Sequence, residues 1–326
     1  MSDGILLVDK PSGWTSHDVV GRTRRLARTR KIGHAGTLDP MATGVLVLGI
    51  GKGTKLLTFL VGCDKDYLAT IRLGQSTNTD DAEGEITEAL GAADLSEDQI
   101  AAAVADLTGD IEQVPSTVSA IKIDGQRAYA RARAGEEVTL AARPVTVSRF
   151  EIRDIRALTP GRDGRLTGGN RAGSHRLASR RGESATAVVD VDVFVTVSSG
   201  TYVRALARDL GAAVGTGGHL TALRRTRVGG FEEEATHTTE QLSALVERDE
   251  PLPLLSLEDV ARRSFAVREL SESEARSLSY GARIESAEPG RSEPVAGLDP
   301  EGRLIAMLDE SAPTTRSKVV FAPASS

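Results

Sequence analysis

The sequence predicts an α+β fold: a mixed, largely antiparallel central sheet flanked by helices and loops, with a small β-rich domain at the C-terminal end. Three observations lead there. Strand-like and helix-like stretches alternate without a regular βαβ rhythm, which argues against a parallel doubly wound sheet. The 326 residues, 40% hydrophobic and 26% charged, suit one large domain with a smaller one and allow a sizeable core. From about Pro251 the composition turns acidic and strand-like, with a turn at "LDPEGRL". The expected domains are therefore residues 1–250 and 251–326.

In chain order, "GILLVDKPSG" is an apolar strand ending in a Pro-Ser-Gly turn. "TSHDVVGRTRRLARTRK" opens with Thr15 or Ser16 as cap and continues as an amphipathic helix with a basic face. "GVLVLGIGKGTKLLTFLVG" starts as a buried strand and runs into a short helix. "KDYLATIRLG" alternates apolar with polar and reads as a strand, and "QSTNTDDAEGEI" reads as a polar loop. In "SEDQIAAAVADLTG", Ser96 and Gln99 form a capping-box pattern at the head of a helix. "VTVSRFEIRDI" is another strand. Residues 160–184 hold six Gly and six Arg with almost no apolar content and read as a flexible insertion or disordered loop. Its local charge of +4 leaves room for weak RNA contact. "ATAVVDVDVFVTVSSGTYVRALARDLGAAVG" then gives a long strand, a Ser-Ser-Gly turn and a helix.

Composition narrows the chemistry. The single cysteine, Cys63, leaves no intrachain disulfide and no cysteine-cluster zinc site. No N-terminal signal pattern and no 18-residue apolar run occur, so a cytoplasmic protein without membrane association is expected. The net charge of −6 is unevenly spread. Residues 1–60 carry nine Lys/Arg against four Asp/Glu, whereas residues 231–326 carry ten against nineteen. Two readings stay open: a basic face for nucleic acid at the N-terminal end, or charges scattered over a solvated surface.

Two motifs look like nucleotide sites and fail on spacing. "GIGKGTK" has Gly53 where a phosphate loop needs Ser or Thr, and Thr54 stands in place of the third glycine of G-x-G-x-x-G. His34 and Asp39 in "KIGHAGTLDPMATGVL" lie five apart, with too few nearby ligands for a metal and no positioned Ser or Cys for a triad. The bland reading of that stretch is a structured turn with Asp39 as a cap; Gly33, Gly36 and Gly44 around one His and one Asp weaken it. Arg204 in "SSGTYVRALARDLG" is either an exposed helix residue or the charge-assisted partner of a carboxylate. Tyr67 is either core or a stacking surface for a base.

Taken together, four blocks resemble the TruB family of bacterial tRNA pseudouridine-55 synthases. They are "GHAGTLDPMATGVL", "KDYLATIRLGQSTNTDDAEG" with its T-x-T-x-D-x-x-G loop, "GTYVRALARDLG" and "HLTALRRTRVGGF"; "VDKPSGWTSHD" also fits. The resemblance spans roughly residues 4–250, interrupted by the Arg/Gly stretch. It implies a pseudouridine synthase fold with a PUA-like RNA-binding domain at the C-terminal end, and isomerisation of one T-loop uridine of tRNA, at position 55. It implies Asp39 as the essential carboxylate, Tyr67 as the residue stacking on the base and Arg204 as the catalytic arginine that pairs with Asp39. It further implies RNA contact by His34, a pocket-lining role for Leu223, and an N-terminal Lys-Pro element at Lys10 and Pro11, which belongs with the expected RNA-binding residues. No cofactor and no metal are expected, and the partner is the T-arm stem-loop of tRNA, bound by a monomer that needs no protein partner. Two alternatives remain at this point: an RNA-binding or tRNA-folding module with secondary catalysis, and a guide-RNA-dependent synthase.

Overall fold

A computed structural model describes residues 3–116, 122–123, 126–127, 140–160, 166–168 and 187–322. The chain forms two compact units, Met1–Cys63 together with Arg227–Ser326, and Asp64–Thr226.

The first unit opens with β1 (Gly4–Lys10), helix α1 (Ser16–Leu26), β2 (Ile32–Ala35) and β3 (Thr43–Ile50). Thr15 is the N-cap of α1: it accepts from the Asp18 amide while the Asp18 carboxylate takes the Thr15 N–H, a closed capping box. β3 pairs antiparallel with β1, from Gly4 opposite Ile50 to Lys10 opposite Gly44, and also with β2. Its continuous apolar run follows from burial along almost its whole length. A 3-10 turn (Gly51–Lys55) and α2 (Leu57–Leu60) follow. The glycines of "GIGKGTK" serve this turn: a Cβ on Gly53 would lie 2.1 Å from Gly4 O, and one on Gly49 would lie 2.6 Å from Gly53 O. The turn's Lys52 amide donates to the Asp3 carboxylate. The phosphate-loop lookalike is thus a close backbone crossing.

The second unit begins with β4 (Lys65–Leu73), whose alternation places Tyr67, Ala69, Ile71 and Leu73 inside. β5 (Ser76–Thr77) and β6 (Ile86–Glu88) pair with each other, so the stretch expected as plain loop is tied at both ends. Helix α3 (Glu97–Asp106) carries the expected Ser96–Gln99 box. β7 (Gly109–Gln113), β8 (Lys122–Ile123), β9 (Gln126–Arg127) and the 18-residue β10 (Arg143–Pro160) follow. β11 (Leu166–Gly168) pairs with the end of β10, where the sequence suggested a loop; the remainder of 160–184 lies outside the described residues, save Pro160 at the end of β10. β12 (Val188–Val197), α4 (Val203–Ala213) and β13 (Gly218–Val228) complete the run, with sheet order β13-β4-β12-β10-β11 and β7 on β10. β4 with β12, β12 with β10, and β10 with both β11 and β7 all run antiparallel. One face of β4 and β12 is core; the other carries an ion-pair lattice, with Arg72 on Asp190 and Arg156 on Asp192.

The chain returns to the first unit with β14 (Phe231–Glu232), α5 (Thr239–Glu247), α6 (Leu257–Ser264), β15 (Ala266–Glu269), α7 (Glu272–Ser279), β16 (Ile284–Glu285), β17 (Val295–Leu298), β18 (Leu304–Asp309) and β19 (Thr314–Val320). The last five strands form one sheet in the order β15-β17-β18-β19-β16, with β15 and β17 parallel. The composition change near residue 250 does not coincide with the division between the units. Leu257, Val260, Ala296, Leu304, Met307 and Phe321 share one apolar core with Ile5, Leu7, Val45, Val47, Leu56 and Leu60. Burial of that common core holds the C-terminal sheet to the N-terminal strands. Among the described residues no helix is long and apolar enough to cross a membrane.

Candidate active site

In the first unit the Asp39 turn is built from backbone contacts. β2 carries His34 up to Gly36, whose φ of +79° is natural for glycine. Ser16, buried at the start of α1, grips Leu38 twice: its hydroxyl donates to Leu38 O and accepts from Leu38 N. Asp39 O then accepts from Ala42 N, closing a β-turn with Pro40 at its second position, where a fixed φ suits it. Pro40 O accepts from Gly13 N, and the Lys10 ammonium donates to Pro40 O at 3.1 Å, Pro11 O at 2.9 Å and Trp14 O at 2.5 Å. Lys10 is 0% exposed. An ammonium held by three backbone carbonyls ties the turn to the end of β1. Pro11 enters through its carbonyl. Asp39 and His34 are half-buried, and the His34 ring meets His17 edge-on with centroids 5.5 Å apart.

In the second unit Arg204 is the second residue of α4 and 4% exposed, so the exposed-helix reading fails. Its Nη1 donates to Thr79 O at 3.0 Å and lies 3.6 Å from Asp81 Oδ2. Asp81, 2% exposed, also accepts from Thr79 Oγ1 at 2.6 Å and from the Glu83 amide at 3.1 Å. Gly84 permits the fold of this loop, since a Cβ there would lie 2.3 Å from Thr79 Oγ1. α4 sits close on the start of β13: a Cβ on Gly211 would lie 2.1 Å from Gly218 N. Tyr67 on β4 and Leu223 on β13 are both buried in this unit. His219 on β13 is buried, its Nδ1 is 3.0 Å from Gln75 O, and burial pushes its pKa down. Burial likewise pushes the Asp209 carboxyl up, against the pull of Arg208.

The family model of the TruB pseudouridylate synthase N-terminal domain matches residues 24–160. A model of the tRNA pseudouridylate synthase B C-terminal domain matches residues 204–260, and one of the C-terminal part of tRNA pseudouridine synthase II matches residues 265–322. A protein of Arthrobacter sp. named tRNA pseudouridine synthase B is 54% identical over 99% of this chain and 98% of its own length. The chain belongs to the TruB family of pseudouridylate synthases. Proteins of the same name from Thermobifida fusca and Streptomyces coelicolor are each 50% identical, over 99% and 98% of this chain and 99% and 97% of theirs. Among solved structures, a Cbf5-Nop10-Gar1 complex matches with a TM-score of 0.69 at 23% identity, over 98% of this chain and 85% of that one, and supports the fold.

Of the residues expected for a TruB enzyme, Lys10, Pro11, His34 and Asp39 lie in the first unit, and Tyr67, Arg204 and Leu223 in the second. The residue missed in the sequence is Asp81. The T-x-T-x-D-x-x-G pattern held the signal: a threonine two before an Asp and an amide two after it are the local partners that fold such a loop around its carboxylate. Among the described residues no group of three or more His, Cys, Asp or Glu is placed to hold a metal ion.

Proposed function

We propose that this chain isomerises the T-loop uridine at position 55 of tRNA to pseudouridine, acting on tRNA alone and without a cofactor. The observation that carries the reading is identity of 54% and 50%, over nearly the full chain, to relatives named tRNA pseudouridine synthase B. The reaction breaks the C1′–N1 bond and forms a C1′–C5 bond in the same nucleotide. The proton on C5 is lost and N1 gains one, so the step is redox-neutral and balanced within the substrate. Asp39 is the essential carboxylate, presented by a turn whose backbone is tied at Leu38, Pro40 and Ala42. Tyr67 stacks on the displaced base, Arg204 serves the catalytic carboxylate, Leu223 lines the base pocket and His34 contacts the loop around it. Base extrusion costs about a few kcal/mol, less for a base already in a loop.

Exposed arginines and a lysine support an RNA-binding face. Arg25, Arg28, Arg30 and Lys31 are exposed and form no ion pair among the described residues, an arrangement suited to phosphates. The acidic C-terminal sheet is assigned the PUA-like role.

The test is a map of pseudouridine in tRNA from cells with and without the gene, together with turnover of a bare T-arm transcript by the purified protein. Loss at the T-loop uridine alone, and turnover without any guide RNA, are expected. An unchanged map, or activity that requires a second RNA or protein, overturns the reading.

A further inference from the structure

Residues 113–116, at the end of β7, reach both sides of the buried Arg204–Asp81 pair. Gln113, 1% exposed, is the last residue of β7 and is held to the sheet by pairing with Arg143. Its side-chain amide lies along the backbone of Tyr202: Tyr202 N donates to Gln113 Oε1 at 2.9 Å, and Gln113 Nε2 donates to Tyr202 O at 3.2 Å. Tyr202 is the N-cap of α4 and provides no side-chain cap of its own. The amide thus fixes the start of the helix two residues before Arg204. One residue on, Val114 O accepts from Arg208 Nη2 at 2.7 Å, one turn further along the same helix. Ser116, 0% exposed, then donates to Asp80 Oδ2 at 2.6 Å. Asp80 has a φ of +60°, a strained value for a non-glycine residue, and precedes Asp81 directly.

We propose that residues 113–116 are a brace that sets Arg204 against Asp81, with Gln113 as its main positioning residue and Ser116 as its second anchor. Gln113 holds the helix that carries the guanidinium, and Ser116 holds the loop that carries the carboxylate. The two are joined by two intervening residues, so the spacing between helix and loop is set by a short piece of chain. A long guanidinium at 3.6 Å from its carboxylate is sensitive to such spacing, and displacement of a catalytic group by about 1 Å can cost about 10²-fold in rate. The two hydrogen bonds of the amide reproduce the way a strand would hold Tyr202, in a place where β7 has ended.

The inference rests on the reading of Arg204 as part of the reacting site. The test therefore begins with wild-type turnover of a T-arm transcript; its absence sinks that reading before any variant is compared. Q113L removes both hydrogen bonds, and Q113E keeps the acceptor for Tyr202 N but loses the donor when ionised. Single-turnover rates are expected to fall at least about tenfold in Q113L, with RNA affinity within about twofold of wild type. Q113E is expected to recover rate as pH falls, because the protonated carboxyl donates to Tyr202 O again; a merely structural glutamine would give no such profile. In an R204K background Q113L is expected to cost nothing further. A loss confined to RNA affinity, full multiplicativity with R204K, or a Q113E profile parallel to wild type overturns the proposal. If Q113L fails to fold, the Q113E profile and S116A decide it: S116A is expected to lower the rate in the same direction without changing affinity, and a wild-type rate in S116A overturns the brace.

Discussion

The Asp39 turn fixes its backbone at Leu38, Pro40 and Ala42, and Asp39 itself is only partly buried. The Asp81 loop does the reverse: Asp81 is 2% exposed, its Oδ1 accepts from Thr79 Oγ1 and the Glu83 amide, and its Oδ2 lies 3.6 Å from the Arg204 guanidinium. Two aspartates in glycine-containing loops thus answer different physical demands. A buried carboxylate that folds its own loop through local donors and has its charge matched by a buried guanidinium is part of the architecture. A carboxylate on a rigid backbone with part of its surface open can meet a substrate without reorganising the protein. The proposed division, chemistry at Asp39 and positioning at Asp81, can be broken one half at a time.

The largest expected effect is at Asp39. D39N keeps size and shape, and the turn is held by backbone groups that the change does not touch. Pseudouridine formation should fall by at least about 10³-fold while T-arm binding stays within a few-fold, measured by single-turnover assay and filter binding. Near-wild-type turnover would remove Asp39 from the chemistry. At Asp81 the first loss should be stability. D81A leaves Arg204 buried beside an empty position, and removing one partner of a buried pair costs about 3–5 kcal/mol. Chemical denaturation should show that loss; a stability change below about 1 kcal/mol would mean that the pair is not structural.

Lys10 sharpens the same contrast. K10M removes the ammonium from three carbonyls, and a cost of about 1.5–3 kcal/mol is expected, since Pro40 O keeps its bond from Gly13. The salt dependence of tRNA binding should stay unchanged. Removing a lysine that neutralises a phosphate lowers the salt slope by about one, whereas removing one that serves only the fold leaves it alone. A slope lowered by about one would mean that Lys10 contacts a phosphate, as the family resemblance implies.

What the sequence revealed follows the range of the interactions involved. The caps at Thr15 and Ser96 were legible because both partners of each box lie within three residues. The β4 strand was legible because alternation records burial directly. The Asp39 turn was legible as a turn, since Pro40 and the glycines act locally. Lys10 was not: its acceptor at Pro40 is 30 residues away, and nothing near Lys10 separates a buried ammonium from a surface one. Arg204 and Asp81 are 123 positions apart, and Asp80 and Asp81 are the same residue type, so only the fold tells which one meets the guanidinium. The shared core of N-terminal strands and C-terminal sheet was hidden for the same reason, because composition marks a change at residue 250 but not what the later segment packs on.

The smallest expected effect belongs to His219, which lies in the same unit as the Asp81 loop and tests whether that unit tolerates charge. Its ring is buried, its Nδ1 donates to Gln75 O, and it feels Arg72 as a further push against protonation, with Asp190 and Asp81 pulling the other way. Its pKa in the folded chain is lowered from 6.5. Above pH 6.5 both folded and unfolded chains hold the ring neutral, so His219 contributes no pH dependence there. Below that value the unfolded chain binds a proton that the folded chain refuses, and stability falls with pH, by up to about 1.4 kcal/mol per unit for one proton. H219Q keeps a donor for Gln75 O and cannot titrate, so its stability should be flatter between about pH 6.5 and 5 in parallel urea titrations. Identical slopes for the two proteins would mean that the folded unit accepts the proton, and that its interior near Asp81 is less closed to charge than its burial indicates.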